Sequence, residues 1–338
     1  MERFPAAAAS TPPSAGAPEG TAAVPCAVVT GSGALLPPAM ASMVTVVELP
    51  VRIGDEAVLA GTAAELHAFY DRLRAGAQPD TSTTPPGTFL EAFRKSPAEN
   101  IICLTMPAGW SGMDGSARLA ARMLAAEEGR ERVTVVDCAT AAAGLGLIAR
   151  VTALLCARGA AFPEVMERTR SAIRDVRMFG ALETLEYVAR SGRINSLLAG
   201  ISDSLHVRPV FRLSNNQTGR VALVRTHSGV LSALEKTARE MPGRLWVLVF
   251  HAEAGELAEQ LGARLGEACD VVRLEIVALD PIIGTHTGPG VVGYAALPLV
   301  AGEMDGEPVV AKILLTAERK CVILGNLVVG VCLYSAVV

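Results

Sequence analysis

Residues 284–290 read Gly284-Thr285-His286-Thr287-Gly288-Pro289-Gly290 and separate two apolar runs, 274–279 and 291–299. Three glycines and a proline favour turns and let a ligand approach the backbone closely. The stretch therefore predicts a backbone-dominated loop between two buried segments. His286 is its one titratable residue. A histidine between two threonines in such a stretch suggests that His286 is a polar group presented to an anion or a carboxyl. The alternative interpretation is a tight loop with an exposed histidine.

Upstream of this loop, short apolar runs alternate with amphipathic stretches. In the first half, strands are predicted at 26–30, 44–51, 100–106 and 133–136, and helices at 63–75, 88–95, 116–126 and 144–158. This alternation predicts a parallel α/β sheet, in which ligands bind at the carboxyl ends of the strands. The loops at 30–33, 105–112 and 137–144 are therefore expected to converge, and the polar loop at 81–87 is expected to join them.

A second block of alternating segments begins near Phe162. Helices are predicted at 164–174, 182–189, 231–240 and 254–266, and strands at 209–213, 221–224, 245–250 and 273–279. We therefore expect two α/β domains, over 24–160 and 161–300. Residues 1–23, which are mainly Ala, Pro, Ser, Gly and Thr, predict a disordered leader without the apolar core of a secretory signal.

Composition narrows the classes of function. The 338 residues carry a net charge of −4, with 30 Lys and Arg against 34 Asp and Glu, and no basic stripe. Nucleic acid is therefore not expected as a partner. Hydrophobic residues make up 51% and aromatic residues 4%, which predicts large aliphatic cores.

The cysteines and histidines do not form a metal or disulfide pattern. The seven cysteines include no C-x-x-C pair, and the five histidines show no H-E-x-x-H spacing. An odd, dispersed set of cysteines is typical of a reducing compartment, so we expect a cytoplasmic protein with no metal ligands.

An apolar tail ends the sequence. Residues 321–338 are nearly all apolar and follow Arg319-Lys320. A spanning helix needs about 20 apolar residues, so a membrane anchor is one interpretation. Gly325, Asn326 and Gly330 interrupt the run, and its valines favour strands. We favour packing over membrane contact, and the role of 301–338 stays open.

Nine short motifs, in a fixed order over residues 26–298, resemble the DegV family. They are Val28-Val29-Thr30-Gly31-Ser32 with Leu36-Pro37-Pro38, Thr81-Ser82 with Pro86-Gly87 and Phe89, Ser111-Gly112 with Ser116-Ala117, Asp137 with Gly144 and Gly146, Leu185-Glu186-Tyr187 with Ser191-Gly192-Arg193-Ile194, Arg208-Pro209, Val224-Arg225-Thr226, His251-Ala252, and the His286 to Gly290 stretch. Each motif is weak alone, and their order carries the resemblance.

The resemblance implies a fold and a function. The DegV family includes the fatty-acid-binding subunit of bacterial fatty acid kinase. Its members have two α/β domains that hold a long-chain fatty acid, with the acyl tail in an apolar tunnel and the carboxyl group bonded by hydroxyls and a histidine. A kinase partner phosphorylates that carboxyl, and the binding subunit does no bond chemistry. We therefore expect no catalytic residue and no cofactor, only a fatty acid ligand.

The expected ligand-binding residues combine the resemblance with the positions of the loops. They are Ser32, Thr81, Ser82, Ser111, Gly112, Arg193, His286 and Thr287. Each has a structural alternative. Thr81 and Ser82 could form a turn or a helix cap, and Ser111 and Gly112 could cap a helix rather than face an anion. Arg193 could be a solvated cation near a helix end rather than a contact of the ligand or of the kinase.

The sequence also departs from the family pattern. Gly31 stands where the family has the aspartate of Thr-Asp-Ser, and Cys138 replaces a usual serine. Pro107-Ala108 stands where the family has paired serines, the second of which commonly contacts the carboxyl. A diverged member without carboxylate binding is therefore one alternative. An acyl-ester hydrolase using Ser111 and His286 is another, although no G-x-S-x-G elbow is present.

Overall fold

Two sheets organise the part of the chain that the structure describes. The computed structural model describes residues 25–58, 61–192, 207–303 and 313–314. The strands are β1 (Cys26–Gly31), β2 (Val44–Val47), β3 (Val51–Ile53), β4 (Glu56–Ala57), β5 (Pro79–Thr81), β6 (Asn100–Thr105), β7 (Val133–Asp137), β8 (Arg177–Ala181), β9 (Arg208–Ser214), β10 (Gln217–Val224), β11 (Leu245–His251), β12 (Val271–Ala278), β13 (Val292–Pro298) and β14 (Ile313–Leu314).

The helices follow most of the strands and cover the sheets. They are α1 (Ala63–Arg74), α2 (Pro86–Lys95), α3 (Met113–Glu128), α4 (Ala142–Ala157), α5 (Phe162–Asp175), α6 (Glu186–Ser191), α7 (His227–Ala238), α8 (Gly255–Ala268) and α9 (Pro281–Thr287), with short 3₁₀ helices at Ser32–Ala34 and Pro38–Met40. None of the helices in the described ranges is long and apolar enough to cross a bilayer.

The first sheet has the order β2-β1-β6-β7, and every neighbouring pair is parallel. This confirms the predicted parallel α/β sheet in the first half of the chain. The predicted strand at 44–51 is wrong in one respect, because it divides into β2 and β3. Pro50 has no N–H to continue a ladder, and β3 joins β4 and β5 in a small antiparallel sheet instead.

The second sheet has the order β10-β9-β8-β13-β11-β12-β14. Its neighbours are antiparallel from β10 to β11, and the pairs β11–β12 and β12–β14 are parallel. Strand β8 was not predicted, and the helix predicted at 182–189 is confined to α6. The division into domains at residue 160 stays a prediction.

The stretch 284–290 is not a loop throughout, so that prediction is wrong. Helix α9 covers its first four residues, because Asp280 accepts a hydrogen bond from the Ile283 amide at 3.1 Å and Pro281 occupies the first turn. The helix ends at Gly288, where φ is +75°. The leader at 1–23 and the apolar run at 321–338 lie outside the described residues.

Helix α4 lies between the two sheets and packs on strands of both. It contacts β1 and β6 of the first sheet and β8, β11 and β13 of the second. Its sequence is apolar on every face apart from Arg150 and Thr152, which suits a helix buried on all sides. Helix α4 therefore serves as the shared core of the two sheets.

Arg150 of α4 bonds to both halves of the molecule. The side chain is 1% exposed, and its Nη2 donates to the Leu35 carbonyl at 3.0 Å. The same Nη2 lies 3.5 Å from the carboxylate of Glu275 on β12. Burial lowers the pKa of Arg150, and the Glu275 carboxylate opposes this effect. Glu275 also accepts a hydrogen bond from Trp246 Nε1 at 3.0 Å.

We expect Arg150→Met to lower the free energy of unfolding by about 3 kcal/mol, because it leaves the buried Glu275 carboxylate without one of its cationic partners. Urea denaturation measures the change. The matched control is Arg94→Met, since Arg94 is 49% exposed and pairs with Glu127 at the surface, where an ion pair contributes little to stability. Equal losses for the two variants would contradict a central role for Arg150.

Candidate functional site

A mostly apolar cavity lies between the two sheets. Its volume is about 120 Å³, whereas a single buried water needs about 10 to 15 Å³, so it is far larger than a packing defect. The apolar residues of its wall come from strands of the second sheet and from loops that follow strands of the first. They are Leu49, Met106, Met178, Phe211, Leu213 and Phe250. Such a space suits an apolar ligand.

The start of α4 closes one side of the cavity. Ala141 and Ala142 line it, and Ala142 has a φ of +46°, an unusual conformation for a residue with a side chain. The preceding loop is held by Asp137, whose Oδ1 accepts a hydrogen bond from the Ala139 amide at 2.8 Å. The end of the loop between β7 and α4 therefore forms this wall.

Polar groups gather at one part of the cavity wall. Six of the eight expected ligand-binding residues line the cavity: Thr81, Ser82, Ser111, Gly112, His286 and Thr287. The closest pair joins two separate elements, because Thr81 Oγ1 at the end of β5 lies 3.3 Å from His286 Nε2 in the last turn of α9. A hydroxyl and an imidazole are thus in place beside an apolar space.

Helix α9 is positioned by two close contacts between glycine and tyrosine. A Cβ atom at Gly284 would lie 2.5 Å from the hydroxyl of Tyr70, and one at Gly288 would overlap the ring of Tyr187. Tyr70 is buried and donates to the Leu279 carbonyl at 3.0 Å. The glycines that suggested a loop are therefore needed for close packing, which fixes His286 between the two contacts.

The hydroxyls at this site differ in what they bond. Thr287 Oγ1 donates to the Ile283 carbonyl at 3.1 Å, so its proton is used within α9. Ser111 Oγ accepts a hydrogen bond from the Met113 amide at 3.2 Å, and Ser111 directly precedes Gly112, the N-cap residue of α3. Ser82 is exposed, and its amide donates to the Pro50 carbonyl at 3.2 Å. Among these hydroxyls, that of Thr81 is the one directed at His286.

Two of the expected site residues are not placed with the others. Ser32 is not among the described residues that line the cavity; its Oγ accepts a hydrogen bond from the Leu49 amide at 3.1 Å, so it orients a lining residue instead. Arg193 lies outside the described residues.

One residue that departs from the DegV family pattern, Ala108, lies in the loop that follows β6. Ala108 is exposed, and its amide donates to Asp137 Oδ2 at 3.0 Å.

The sequence interpretation missed several lining residues. Thr83 packs so closely on Gly112 that a Cβ atom there would overlap its side chain. Trp110 lies in the loop that follows β6 and also lines the cavity. The predicted convergence of the loops at 105–112 and 81–87 was the signal that could have identified both. The sheet residues Met178, Phe211 and Phe250 gave no such signal, because buried strand residues look alike in sequence.

The described ranges hold no group of three or more His, Cys, Asp or Glu side chains arranged to bind a metal ion. One carboxyl close to the site is unusual for another reason. Asp280 Oδ2 is buried and accepts no hydrogen bond, while Oδ1 caps α9. Burial raises the pKa of Asp280 from 3.8 to about 7, although the Ile283 amide opposes the rise.

Comparison with known proteins gives consistent matches. A family model described as "Uncharacterised protein, DegV family" matches residues 25–299. A DegV domain-containing protein of Streptomyces coelicolor is 30% identical over 275 residues, which cover 79% of this chain and 96% of the relative. A protein of Thermotoga maritima named as a fatty acid-binding protein is 28% identical over 239 residues, covering 68% of this chain and 81% of the relative.

Solved structures match over the same part of the chain. One is described as the fatty acid binding of a DegV family protein from Thermus thermophilus. It matches with a TM-score of 0.74 and 25% identity, and the match covers 81% of this chain and 100% of the chain in that structure. Another, a Thermotoga maritima protein described as revealing a fatty acid binding function, has a TM-score of 0.70 and 25% identity, and it covers 81% and 99%. These matches confirm the predicted fold class.

We expect the contribution of Asp280 to the free energy of unfolding to fall as the pH rises from about 4 to about 7, because folded Asp280 keeps a proton that the unfolded chain has lost. Asp280→Asn keeps an oxygen for the Ile283 amide and cannot ionise. It should abolish this slope and exceed the wild type in stability above neutral pH by up to about 4 kcal/mol. Urea denaturation across this pH range measures both effects.

The control for this experiment is Asp55→Asn, at an exposed turn between β3 and β4. It should keep the slope of the wild type. An Asp280→Asn protein with an unchanged slope would show that Asp280 is ionised in the folded protein at neutral pH.

Proposed function

Because the chain belongs to the DegV family, we propose that it binds a long-chain fatty acid and presents the carboxyl group to the catalytic subunit of a fatty acid kinase. One observation carries the proposal. The apolar cavity reaches the pair formed by Thr81 and His286. An acyl chain and a carboxyl group need these two environments side by side.

The apolar part of the cavity supplies the affinity in this proposal. Each methylene removed from water contributes about 0.8 kcal/mol, and the walls offer aliphatic, thioether and aromatic surface, with no Asp, Glu, Lys or Arg among the described residues that line them. Met106 and Met178 are unbranched and adapt to an irregular ligand. A long acyl chain is the ligand class that gains most from such walls.

The polar part would hold the carboxyl group. Thr81 Oγ1 can donate one hydrogen bond and His286 Nε2 a second when it carries the proton. A carboxylate buried without such donors would be costly. Ala108 offers no hydroxyl, and the side-chain space at Gly31 is filled by Leu49. The headgroup site of this chain is therefore less polar than the family pattern.

Exposure at the polar end supports the presentation step. Ser82, Thr83 and Gly112 are exposed, although all three line the cavity. A carboxyl group beside them would be within reach of a second protein, whereas the acyl tail would be covered. This arrangement suits a binding subunit that keeps the lipid buried while another protein carries out the phosphoryl transfer.

The hydrolase alternative is less well supported by the same geometry. A serine nucleophile needs its hydroxyl paired with a base. Ser111 Oγ instead accepts the Met113 amide, and His286 Nε2 faces Thr81. The diverged alternative, a protein that has kept the fold without carboxylate binding, is distinguished by the binding experiment that follows.

We expect His286→Ala and Thr81→Val each to weaken fatty acid binding about tenfold or more, because each removes a hydrogen bond to a charged group worth about 1.5 to 3 kcal/mol. Displacement of a fluorescent fatty acid measures the affinity, and native mass spectrometry shows whether an acyl chain copurifies. The control is His227→Ala, since His227 is exposed and pairs with Glu183.

Palmitic acid and the primary alcohol of the same length separate the alternatives. A carboxyl site requires the acid to bind more tightly than the alcohol, and the difference should shrink in His286→Ala. Equal affinity of wild-type protein for the two would support the diverged alternative, and no uptake of either would remove the lipid-binding proposal.

We expect an acyl phosphate to form when the loaded protein is mixed with ATP and a fatty acid kinase catalytic subunit. Hydroxylamine traps the product as a hydroxamate, which can be quantified. The yield should depend on this protein and should fall in His286→Ala but not in His227→Ala. A kinase that converts free fatty acid equally well without this protein would contradict the presentation step.

A further inference from the structure

A row of four residues crosses the second sheet on the side that faces the cavity. Phe250 of β11 pairs with Gly293 of β13, Gly293 with Gly180 of β8, and Gly180 with Phe211 of β9. Residues directly opposite one another on adjacent strands share a face of the sheet. The two central positions have no side chain, so the row forms a trough with a phenyl ring on each side.

The two rings occupy this trough. A Cβ atom at Gly180 would lie 2.7 Å from Cζ of Phe211 and 3.3 Å from Cζ of Phe250, and one at Gly293 would overlap the Phe250 ring. Both rings therefore lean inward and meet over Gly180. They are 4% and 2% exposed, and both line the cavity.

The neighbouring row shows what the sheet looks like without the glycines. Leu248, Ala295, Met178 and Leu213 follow one another across the same four strands. Each has a side chain, and Met178 and Leu213 line the cavity as well. Only the row with glycines has space close to the backbone, and phenyl rings fill that space.

We infer that Phe211 and Phe250 limit the length of the acyl chain that the cavity accepts, because their rings take up the trough above Gly180 and Gly293. The inference rests on the proposed fatty acid function. A smaller side chain at either position opens the trough to additional methylenes, and the backbone beneath stays as it is.

The glycines themselves cannot serve as the adjustable positions. A Cβ atom at Gly293 would overlap the carbonyl oxygen of Phe179, which belongs to the backbone and has no room to move. A side chain at Gly293 would therefore disrupt the pairing of β8 and β13. The phenylalanines are side chains at the surface of the cavity, so they can change while the sheet keeps its register.

The test compares wild-type protein with Phe211→Leu and Phe250→Leu, using lauric, palmitic, stearic and arachidic acids as competitors for a fluorescent fatty acid. Each added methylene that is buried improves binding about fourfold. We expect the preference for stearic over palmitic acid to rise about fifteenfold in each variant, because two more methylenes enter the trough.

The matched control is Phe89→Leu. Phe89 of α2 is fully buried but does not line the cavity, so the same substitution removes the same ring elsewhere in the core. The preference among the four acids should stay as in the wild type. If a leucine variant does not fold, Phe250→Met tests the same position with a longer, flexible side chain.

The outcomes separate the two proposals. Wild-type protein that binds none of the four acids refutes the proposed function. Wild-type protein that binds them, with an unchanged order of preference in both cavity variants, overturns the inference and leaves the function standing. A shift toward longer acids in the cavity variants and not in Phe89→Leu supports it.

Discussion

The burial of one helix between two sheets is the constraint on which the structure depends. Helix α4 has to be apolar all round to lie there, and Arg150 is its single charge. That guanidinium has partners on both sides, the Leu35 carbonyl and the Glu275 carboxylate. A buried ion pair of this kind does little for stability by comparison with apolar packing, but it fixes how the two partners are aligned. The cavity opens where the first residues of α4 meet both sheets.

This arrangement explains why the candidate site draws on distant parts of the sequence. Thr81 and His286 are 205 positions apart along the chain, and each lies on a short element at the edge of a sheet. β5 belongs to the small antiparallel sheet, and α9 follows β12. The parallel pairing of β11 and β12 directs α9 to the same edge as the loops of the first sheet. The two elements also contact each other, and α9 packs on α1 and α6.

The sequence predicted the alternation of strands and helices well, because apolar runs and amphipathic stretches are local signals. It failed where tertiary packing decides. Residues 284–287 looked like part of a loop because the stretch 284–290 has three glycines, although Asp280 and Pro281 are typical of a helix start. β8 contains Gly180, which weakens its strand signal. The part of the cavity wall formed by Phe211 and Phe250 could not be predicted, because these residues differ from other buried phenylalanines only through the glycines opposite them.

The contacts of Gly284 and Gly288 with Tyr70 and Tyr187 have a consequence for recognition. A helix of two turns would ordinarily fray in water. Here the tyrosine rings, which belong to α1 and α6, lie against it from two directions. The backbone around the His286 imidazole therefore loses its conformational freedom when the chain folds, before a ligand binds. A carboxyl group bound there as proposed would lose little of its binding energy to ordering the protein around His286.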